Sequence, residues 1–395
     1  MRILQVGTGF ASIPPKGASA AERTIHHLSD AMTALGHDVT ILDIENEKRP
    51  PVPYKIEEVR LQWNQDVNLP THILRGFAFQ HAVKIKLIEL LGRRDFDIVN
   101  FYNQFSAANI DLVHSHNVPV VYALHNPLWY NTEACTSAWQ RLKFFQDINA
   151  THKADKVICQ NNKTKDNLTQ YLSVLSGKIA VVPPGVDVKW VNECSVSQEI
   201  KMKYAPNNES IILSVARIAP YKNQFTLVRA IPMVIREIQN VRFIFAGPVG
   251  DSKYYKELCR IIAEEKVAPS VLFVGEIPHL EVAQLYSLAS ICAIPSQSEG
   301  FPLIVLEAMA FGKAIVASDF EAFTHVLNEG KGIIVPTFDH EAVGNAILTL
   351  LKNKPLREGM GQKAKEYVKA NYTWENVAKK TIDVYESVLN GSRNR

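Results

Sequence analysis

The sequence predicts an α/β protein of two doubly wound, Rossmann-like parallel-sheet domains. Three observations predict it. Short apolar, β-branched runs alternate with segments of helical period through 395 residues, the rhythm of a parallel sheet covered by helices on both faces. That rhythm occurs as two series with a proline- and glycine-rich break between them. The composition, 47% hydrophobic and 21% charged, is that of a globular chain, and the length suits two or three compact units.

In the first series the strand-like runs are 3–7, 38–44, 98–102, 118–124, 156–160 and 179–182. A helix is expected to open near Ser19 and to run through Glu22 to Leu35 before Gly36, glycine being the usual residue just past a helix end. The second series comprises 211–215, 241–246, 271–275, 291–294, 314–318 and 332–335. Between them lies Pro183-Pro184-Gly185-Val186-Asp187, followed by a polar stretch to Ser210, where a domain boundary is expected. The chain is therefore divided into an N-terminal domain, 1–187, a C-terminal domain, 188–371, and a terminal segment, 372–395. The last carries Val377, Ile382, Val384, Tyr385 and Val388 at amphipathic spacing, a helix that can pack back on the N-terminal domain. Two such domains facing each other would bring the carboxyl ends of their strands to a central cleft, where open α/β sheets bind ligands.

Several function classes fall away. The 43 Lys plus Arg against 40 Asp plus Glu leave a net charge of +3, too little for a general nucleic-acid binder. The five cysteines are widely spaced, with no Cys-x-x-Cys pair, and read as reduced buried thiols. No signal-peptide core is expected at the start of the chain, and the most apolar stretch, 301–318, is broken by Pro302, Glu307, Gly312 and Lys313. A cytoplasmic location is expected. Gly7-Thr8-Gly9-Phe10-Ala11-Ser12 nearly spells a dinucleotide fingerprint, but Pro14 and Pro15 follow and keep a helix from starting behind the glycines, as pyrophosphate binding requires. The loop Lys16-Gly17-Ala18-Ser19 is either an anion-approach loop or a plain strand-to-helix connection.

The second series carries the sharper signal. Arg217 and Lys222 follow the run 211–215, and Glu299-Gly300-Phe301-Pro302 opens a helix carrying Glu307. Two cations past a strand end can hold a diphosphate by charge-assisted hydrogen bonds. Lone surface charges would read as salt bridges, but a carboxylate inside the apolar run 303–310 needs a polar partner.

Ser296 through Ala310, with Gly312 and Lys313 through Ser318, resembles the E-x7-E block of the retaining GT-B glycosyltransferases of family 4. Val215-Ala216-Arg217 with Lys222-Asn223, the Val182–Asp187 break, Val274-Gly275, and Tyr286 ahead of Pro295-Ser296 stand in the family's order, as do Gly17 to Arg23 and Leu35 to Thr40. The resemblance implies a GT-B fold and transfer of a sugar from a nucleoside diphosphate sugar to an acceptor hydroxyl with retention. It implies that Glu307 accepts from the ribose hydroxyls, that Glu299 contacts the donor sugar, and that Arg217 and Lys222 neutralise the diphosphate. The amides of Leu303 and Ile304 would bind phosphate or sugar, the backbone at Gly275 and Glu276 the base, and Gly17 would approach the diphosphate or acceptor. His125 matches the family's histidine beside the reacting sugar. Pro302 departs from a glycine common in the family and removes one N–H from that turn, and Pro184 stands where an Asn is common. A catalytically silent sugar-nucleotide sensor on the same fold is the alternative.

On the reading that the chain carries no Asp-x-Asp triplet to bring a divalent metal to the diphosphate, transfer is expected to need no metal and no cofactor, the sugar nucleotide being the donor substrate. The acceptor is expected to be a glycan, a lipid-linked sugar or a small molecule. The segment 72–94 interleaves Arg75, His81, Lys84, Lys86, Arg93 and Arg94 with apolar residues. It reads either as a basic amphipathic helix on the inner face of an anionic membrane or as a helix with its apolar side on the sheet, the ordinary globular pattern.

Overall fold

The computed structural model describes the chain except residues 16–18, 62–68, 94–95, 126–137, 173–176, 299–300, 302 and 394–395, and except the side chains of 69–73, 138–139, 171, 189, 192 and 392–393. It divides into two units, Met1–Gly185 with Trp374–Arg395, and Val186–Thr373. The sequence reading cuts the chain at 187 and 371.

The first unit runs β1 (Arg2–Val6), α1 (Ala20–Ala34), β2 (Asp38–Ile44), β3 (Lys55–Val59), α2 (Leu69–Arg93), β4 (Ile98–Phe101), α3 (Gln104–Ala107), α4 (Ile110–His114), β5 (Val120–Ala123), α5 (Ala138–Lys153), β6 (Lys156–Cys159), α6 (Asn162–Tyr171) and β7 (Ile179–Val181). The described strands form one parallel sheet in the order β3-β2-β1-β4-β5-β6-β7. Strand order reverses beside β1, the switch point at which such sheets bind ligands.

Alternate residues of these strands enter two cores. Leu4, Val6, Val99 and Phe101 face the cluster that includes Phe79, Val83, Leu87 and Leu90 of α2. Ile3, Ile41, Ile98 and Val121 face Ile25, Leu28 and Met32 of α1. Burial on both faces is why the strands read as unbroken apolar runs. Helix α1 ends at Gly36, which has φ +88°, and the His37 N–H donates to the Met32 carbonyl at 3.1 Å. That closure needs a left-handed residue.

The sequence reading places no strand at β3. It lies at the sheet edge, and of Lys55-Ile56-Glu57-Glu58-Val59 only Val59 is buried, so no apolar run marks it.

The second unit runs α7 (Val188–Glu193), α8 (Gln198–Tyr204), β8 (Ser210–Val215), α9 (Gln224–Glu237), β9 (Val241–Ala246), α10 (Ser252–Glu264), β10 (Val271–Gly275), α11 (His279–Leu288), β11 (Ile291–Ile294), α12 (Leu303–Ala310), β12 (Ala314–Ser318), α13 (Glu321–Leu327), β13 (Ile333–Val335), α14 (His340–Lys352) and α15 (Lys354–Asn371). Its strands are parallel in the order β10-β9-β8-β11-β12-β13. Ile211, Leu213, Ile315 and Ala317 enter one core and Ile212, Phe243, Ala314 and Val316 the other.

Helix α16 (Trp374–Arg393) belongs to the first unit. Val377, Ala378, Ile382, Tyr385 and Val388 join the α1 core, and Trp374 stacks on His27 with ring centroids 5.3 Å apart. Gly185 makes room for that indole, since a Cβ there would lie 2.7 Å from Trp374 Cδ2. No described helix is long and apolar enough to cross a membrane. Cys159, Cys194, Cys259 and Cys292 are free thiols, and Cys135 lies outside the described residues.

Candidate active site

In the second unit the site residues gather past the carboxyl ends of β8 and β11. Beyond β8 the chain continues its pairing with β9, the Ala216 N–H donating to Ala246 O and the Ile218 N–H to Pro248 O, each at 2.9 Å. Arg217, between them, is exposed. Its stem passes Gly250, where a Cβ would come within 2.5 Å of Arg217 Cδ, and at Gly247 a Cβ would lie 2.2 Å from Ala216 O. Two glycines thus seat the arginine loop.

Lys222 is half-buried in a 3-10 turn, Pro220–Lys222, its ammonium 5.3 Å from the Tyr221 ring centroid. The turn is tied to the segment leading to Glu299: Gln297 donates from its N–H to Tyr221 O at 2.9 Å and from Nε2 to Pro220 O at 3.2 Å. Asn223 then adopts a left-handed φ of +52°. Its buried amide donates to Pro295 O at 3.1 Å and Thr337 O at 2.7 Å, and its Oδ1 accepts from Thr226. This one side chain pins the Lys222 turn to the ends of β11 and β13, a role the sequence does not disclose. The only local hint is that asparagine tolerates left-handed backbone.

Glu307 lies in the second turn of α12, half-buried. Its Oε2 accepts from the Tyr286 hydroxyl at 3.1 Å, which answers the expectation that a carboxylate in this apolar run has a polar partner. The Tyr286 ring stacks on Phe311 at 5.3 Å, and Trp190, stacked on His279 at 4.0 Å, meets Tyr286 edge-on. Glu307 is therefore seated against an aromatic wall. The Leu303 N–H, expected to face phosphate, donates to Phe301 O at 2.9 Å. Ile304 follows it in the first turn of α12, half-buried. Glu299, Gly300 and Pro302 lie outside the described residues.

Gly275 closes β10 with φ +68° and open space where a Cβ would stand. Its carbonyl accepts from the Gly247 N–H at 2.8 Å, and Glu276 beside it is exposed. Among the described residues no cluster of three His, Cys, Asp or Glu is placed to hold a metal.

The absence of an Asp-x-Asp triplet is corrected by the chain itself, which contains Asp95-Phe96-Asp97. Asp97 stands at the amino end of β4, on the sheet edge opposite the strand carboxyl ends. Its Oδ2 accepts from the Arg2 N–H at 2.6 Å, and its Oδ1 pairs with the Arg2 guanidinium at 2.8 Å. Asp95 lies outside the described residues.

In the first unit His125 stands two residues past β5. Its Nδ1 lies 2.8 Å from Gln160 Nε2, and its ring is tilted against Tyr102 at 5.5 Å. Burial pushes its pKa down to about 4. A small cavity beside it is lined by α1, the ends of β4–β6, Val182 to Pro184, and Val377 and Thr381 of α16. Behind it Asn100 Nδ2 donates to Tyr385 OH at 2.8 Å and Gln5 Oε1 at 3.2 Å, a buried polar group between residues far apart in the chain.

Gly17 lies outside the described residues. The base of its loop is described: buried Glu22 accepts from the Thr8 and Ser19 hydroxyls, and Arg75 Nε donates to Gly9 O at 3.0 Å. Gly9, with φ +77°, is required because a Cβ would fall 2.3 Å from the Phe79 ring. The near-fingerprint glycine thus admits α2, and no helix starts until Ala20.

Comparison with known proteins fits both units. The Glycosyltransferase Family 4 model matches residues 21–190, and the Glycosyl transferases group 1 model matches residues 196–367. An uncharacterized glycosyltransferase of Methanocaldococcus jannaschii is 24% identical over 385 residues, 95% of this chain and 96% of that protein. The structure of sucrose-phosphate synthase from Thermosynechococcus elongatus superposes with TM-score 0.77 at 20% identity, covering 99% of this chain and all of that one. The Anabaena HepE structure in complex with UDP-glucose gives TM-score 0.73 at 18% identity, covering 98% of this chain and all of that one. The two parallel sheets with their helices are those of the GT-B glycosyltransferase fold. The chain belongs to the group 1 glycosyltransferases.

Proposed function

We propose that the protein transfers a sugar from a nucleoside diphosphate sugar to an acceptor hydroxyl, with retention of configuration and without a divalent metal. The observation that carries this is the constellation past β8 and β11, in which Arg217, the Lys222 turn tied through Gln297, and Glu307 held by Tyr286 share one unit. The UDP-glucose bound to the Anabaena protein supports a nucleotide-sugar donor.

Arg217 and Lys222 offset the negative charge that develops on the departing diphosphate, where charge-assisted contacts act most strongly. Glu307 accepts hydrogen bonds from the ribose hydroxyls, and the open backbone at Gly275 and Glu276 takes the base. Glu299 and His125 contact the donor sugar. The bond from the anomeric carbon to the phosphate oxygen breaks as the acceptor oxygen bonds on the same face, and the acceptor proton passes to the leaving phosphate oxygen.

Thermal unfolding in chelator with UDP, GDP, ADP and their sugar conjugates tests the reading. Ligand at 1,000 times its dissociation constant stabilises the fold by about 4 kcal/mol, so one nucleotide should raise the midpoint of wild type and not of Glu307→Ala. No shift with any of them overturns the donor site, and turnover separates the enzyme from a silent sensor.

The acceptor is a glycan, a lipid-linked sugar or a small molecule, met on the cytoplasmic side. Helix α2 supports peripheral contact with an anionic membrane. Its inner face is in the core, yet Leu74, Phe77, Ile85 and Ile88 are 43–59% exposed beside exposed Lys84. Lys86 is spent on Glu57 and Glu89. Binding to anionic vesicles that survives Ile85→Ser with Lys84→Gln would count against this contact.

A further inference from the structure

His125 and Gln160 occupy matching places on neighbouring strands. Strands β5 and β6 are parallel with Ala123 opposite Ile158, and each of the two side chains stands two residues further on. The ladder continues between them, the Leu124 N–H donating to Ile158 O at 2.8 Å, so the amide and the imidazole are brought side by side by register. The group facing Nδ1 at 2.8 Å is the Gln160 nitrogen. An amide nitrogen donates and has no lone pair to offer, so with the amide in this orientation Nδ1 is the acceptor and the ring proton sits on Nε2.

We infer that Gln160 is a positioning residue that holds His125 as the Nε2–H tautomer, making it a hydrogen-bond donor toward a substrate oxygen rather than a base. A protonated ring would set Nδ1–H against the Gln160 N–H, so the same contact disfavours the cation. Burial acts in the same direction and lowers the pKa to about 4. The Tyr102 ring, tilted by 34° at 5.5 Å, limits ring rotation. Of the described residues lining the adjoining cavity, from α1, the ends of β4–β6, 182–184 and α16, the only titratable one besides His125 is Tyr102, itself held neutral by burial. A neutral donor suits a sugar hydroxyl oxygen or a phosphate ester oxygen, which accept without taking a proton.

The role assigned to the donated proton rests on the reading that His125 lies beside the donor sugar, whereas the tautomer is read without substrate. The test is nitrogen NMR of the full chain labelled with [15N]histidine, the His125 signals being identified by their loss in His125→Gln. Wild type should show a protonated Nε2 and a bare Nδ1, unchanged across the range in which exposed histidines titrate. Gln160→Glu supplies an acceptor and should move the proton to Nδ1 or charge the ring. Gln160→Met, of similar length and without a donor, should give mixed tautomers and lower kcat about three- to tenfold, the loss of one buried hydrogen bond, with an unchanged circular dichroism spectrum. An Nδ1–H signal in wild type overturns the inference. So does an Nε2–H signature unaltered in Gln160→Met, the variant that decides should Gln160→Glu not fold. An Nε2–H wild type combined with full turnover of His125→Gln upholds the tautomer and removes His125 from the sugar site.

Discussion

The Tyr286 hydroxyl donates to Oε2 of Glu307 at 3.1 Å, and Tyr286 is itself 1% exposed with its ring stacked on Phe311. The carboxylate is thus oriented before any ligand arrives. Removing it in Glu307→Ala should lower turnover about 100-fold or more, as loss of a major polar contact does, and Lys222→Ala should do the same. Tyr286→Phe keeps the charge and the stack but removes this hydrogen bond to the carboxylate. It should raise KM for the donor roughly three- to tenfold. Steady-state kinetics with a melting curve for each variant separates these outcomes, and near-normal turnover of Glu307→Ala removes it from the site.

Arg217 is seated by two glycines that differ in what they touch. At Gly250 the obstacle to a Cβ is the flexible Arg217 side chain, whereas at Gly247 it is the Ala216 backbone at a φ of +146°. Gly250→Ala should displace the guanidinium and raise donor KM about tenfold with the melting temperature intact. Gly247→Ala should destabilise the unit by roughly 1–3 kcal/mol. A kinetically silent Gly250→Ala would argue that the arginine does not hold the donor.

The contrast among these residues explains what was legible in the sequence. Strands such as Ala314–Ser318, buried throughout, announce themselves because parallel strands under two layers of helix must be apolar on both sides. The edge strand Lys55–Val59 does not, since one buried residue leaves no pattern. Arg217 and Lys222 stand out as charges past a strand end, and Glu307 as a carboxylate inside an apolar run. The groups that hold them did not. Asn223 acts through carbonyls 72 and 114 residues away, Gln160 through a histidine 35 residues back, and Tyr385 through Asn100 across 285 residues. Such long-range partners leave no local signature, and Gly9, part of the near-fingerprint that Pro14 and Pro15 argue against, is explained by the Phe79 ring of a helix the fingerprint does not contain.

Metal independence is the expectation most exposed to the Asp95-Phe96-Asp97 triplet. Burial raises the Asp97 pKa, but its hydrogen bonds from Arg2 outweigh this and hold it below the ordinary value. A carboxylate already satisfied by a guanidinium and a backbone N–H makes a poor metal ligand. Turnover should persist in chelator, and Asp97→Asn should keep the wild-type rate. Complete loss in chelator that returns with magnesium overturns metal independence, and a rate loss in Asp97→Asn would bring the triplet into the chemistry.

Asp43, at the end of β2, gives stability a pH dependence of unusual sign for a carboxylate. Its Oδ2 accepts from the Ile13 N–H at 2.7 Å and pairs with Arg49 at 2.9 Å, yet burial is the largest influence and raises its pKa from 3.8 to about 6. The folded state therefore binds the proton more tightly than the unfolded chain. Between these values the folded protein holds the extra proton, so stability falls as pH rises from about 4 to about 6, by about 3 kcal/mol at most. Carboxylates with depressed values, such as Asp155 beside His114, act oppositely, so the total curve conceals the effect. The difference between wild type and Asp43→Asn isolates it. Denaturant unfolding at a series of pH values should show wild type losing ground to the variant across this window. A difference that stays flat, or that grows in favour of wild type, would mean that the Arg49 pair outweighs burial and that Asp43 is ionised throughout.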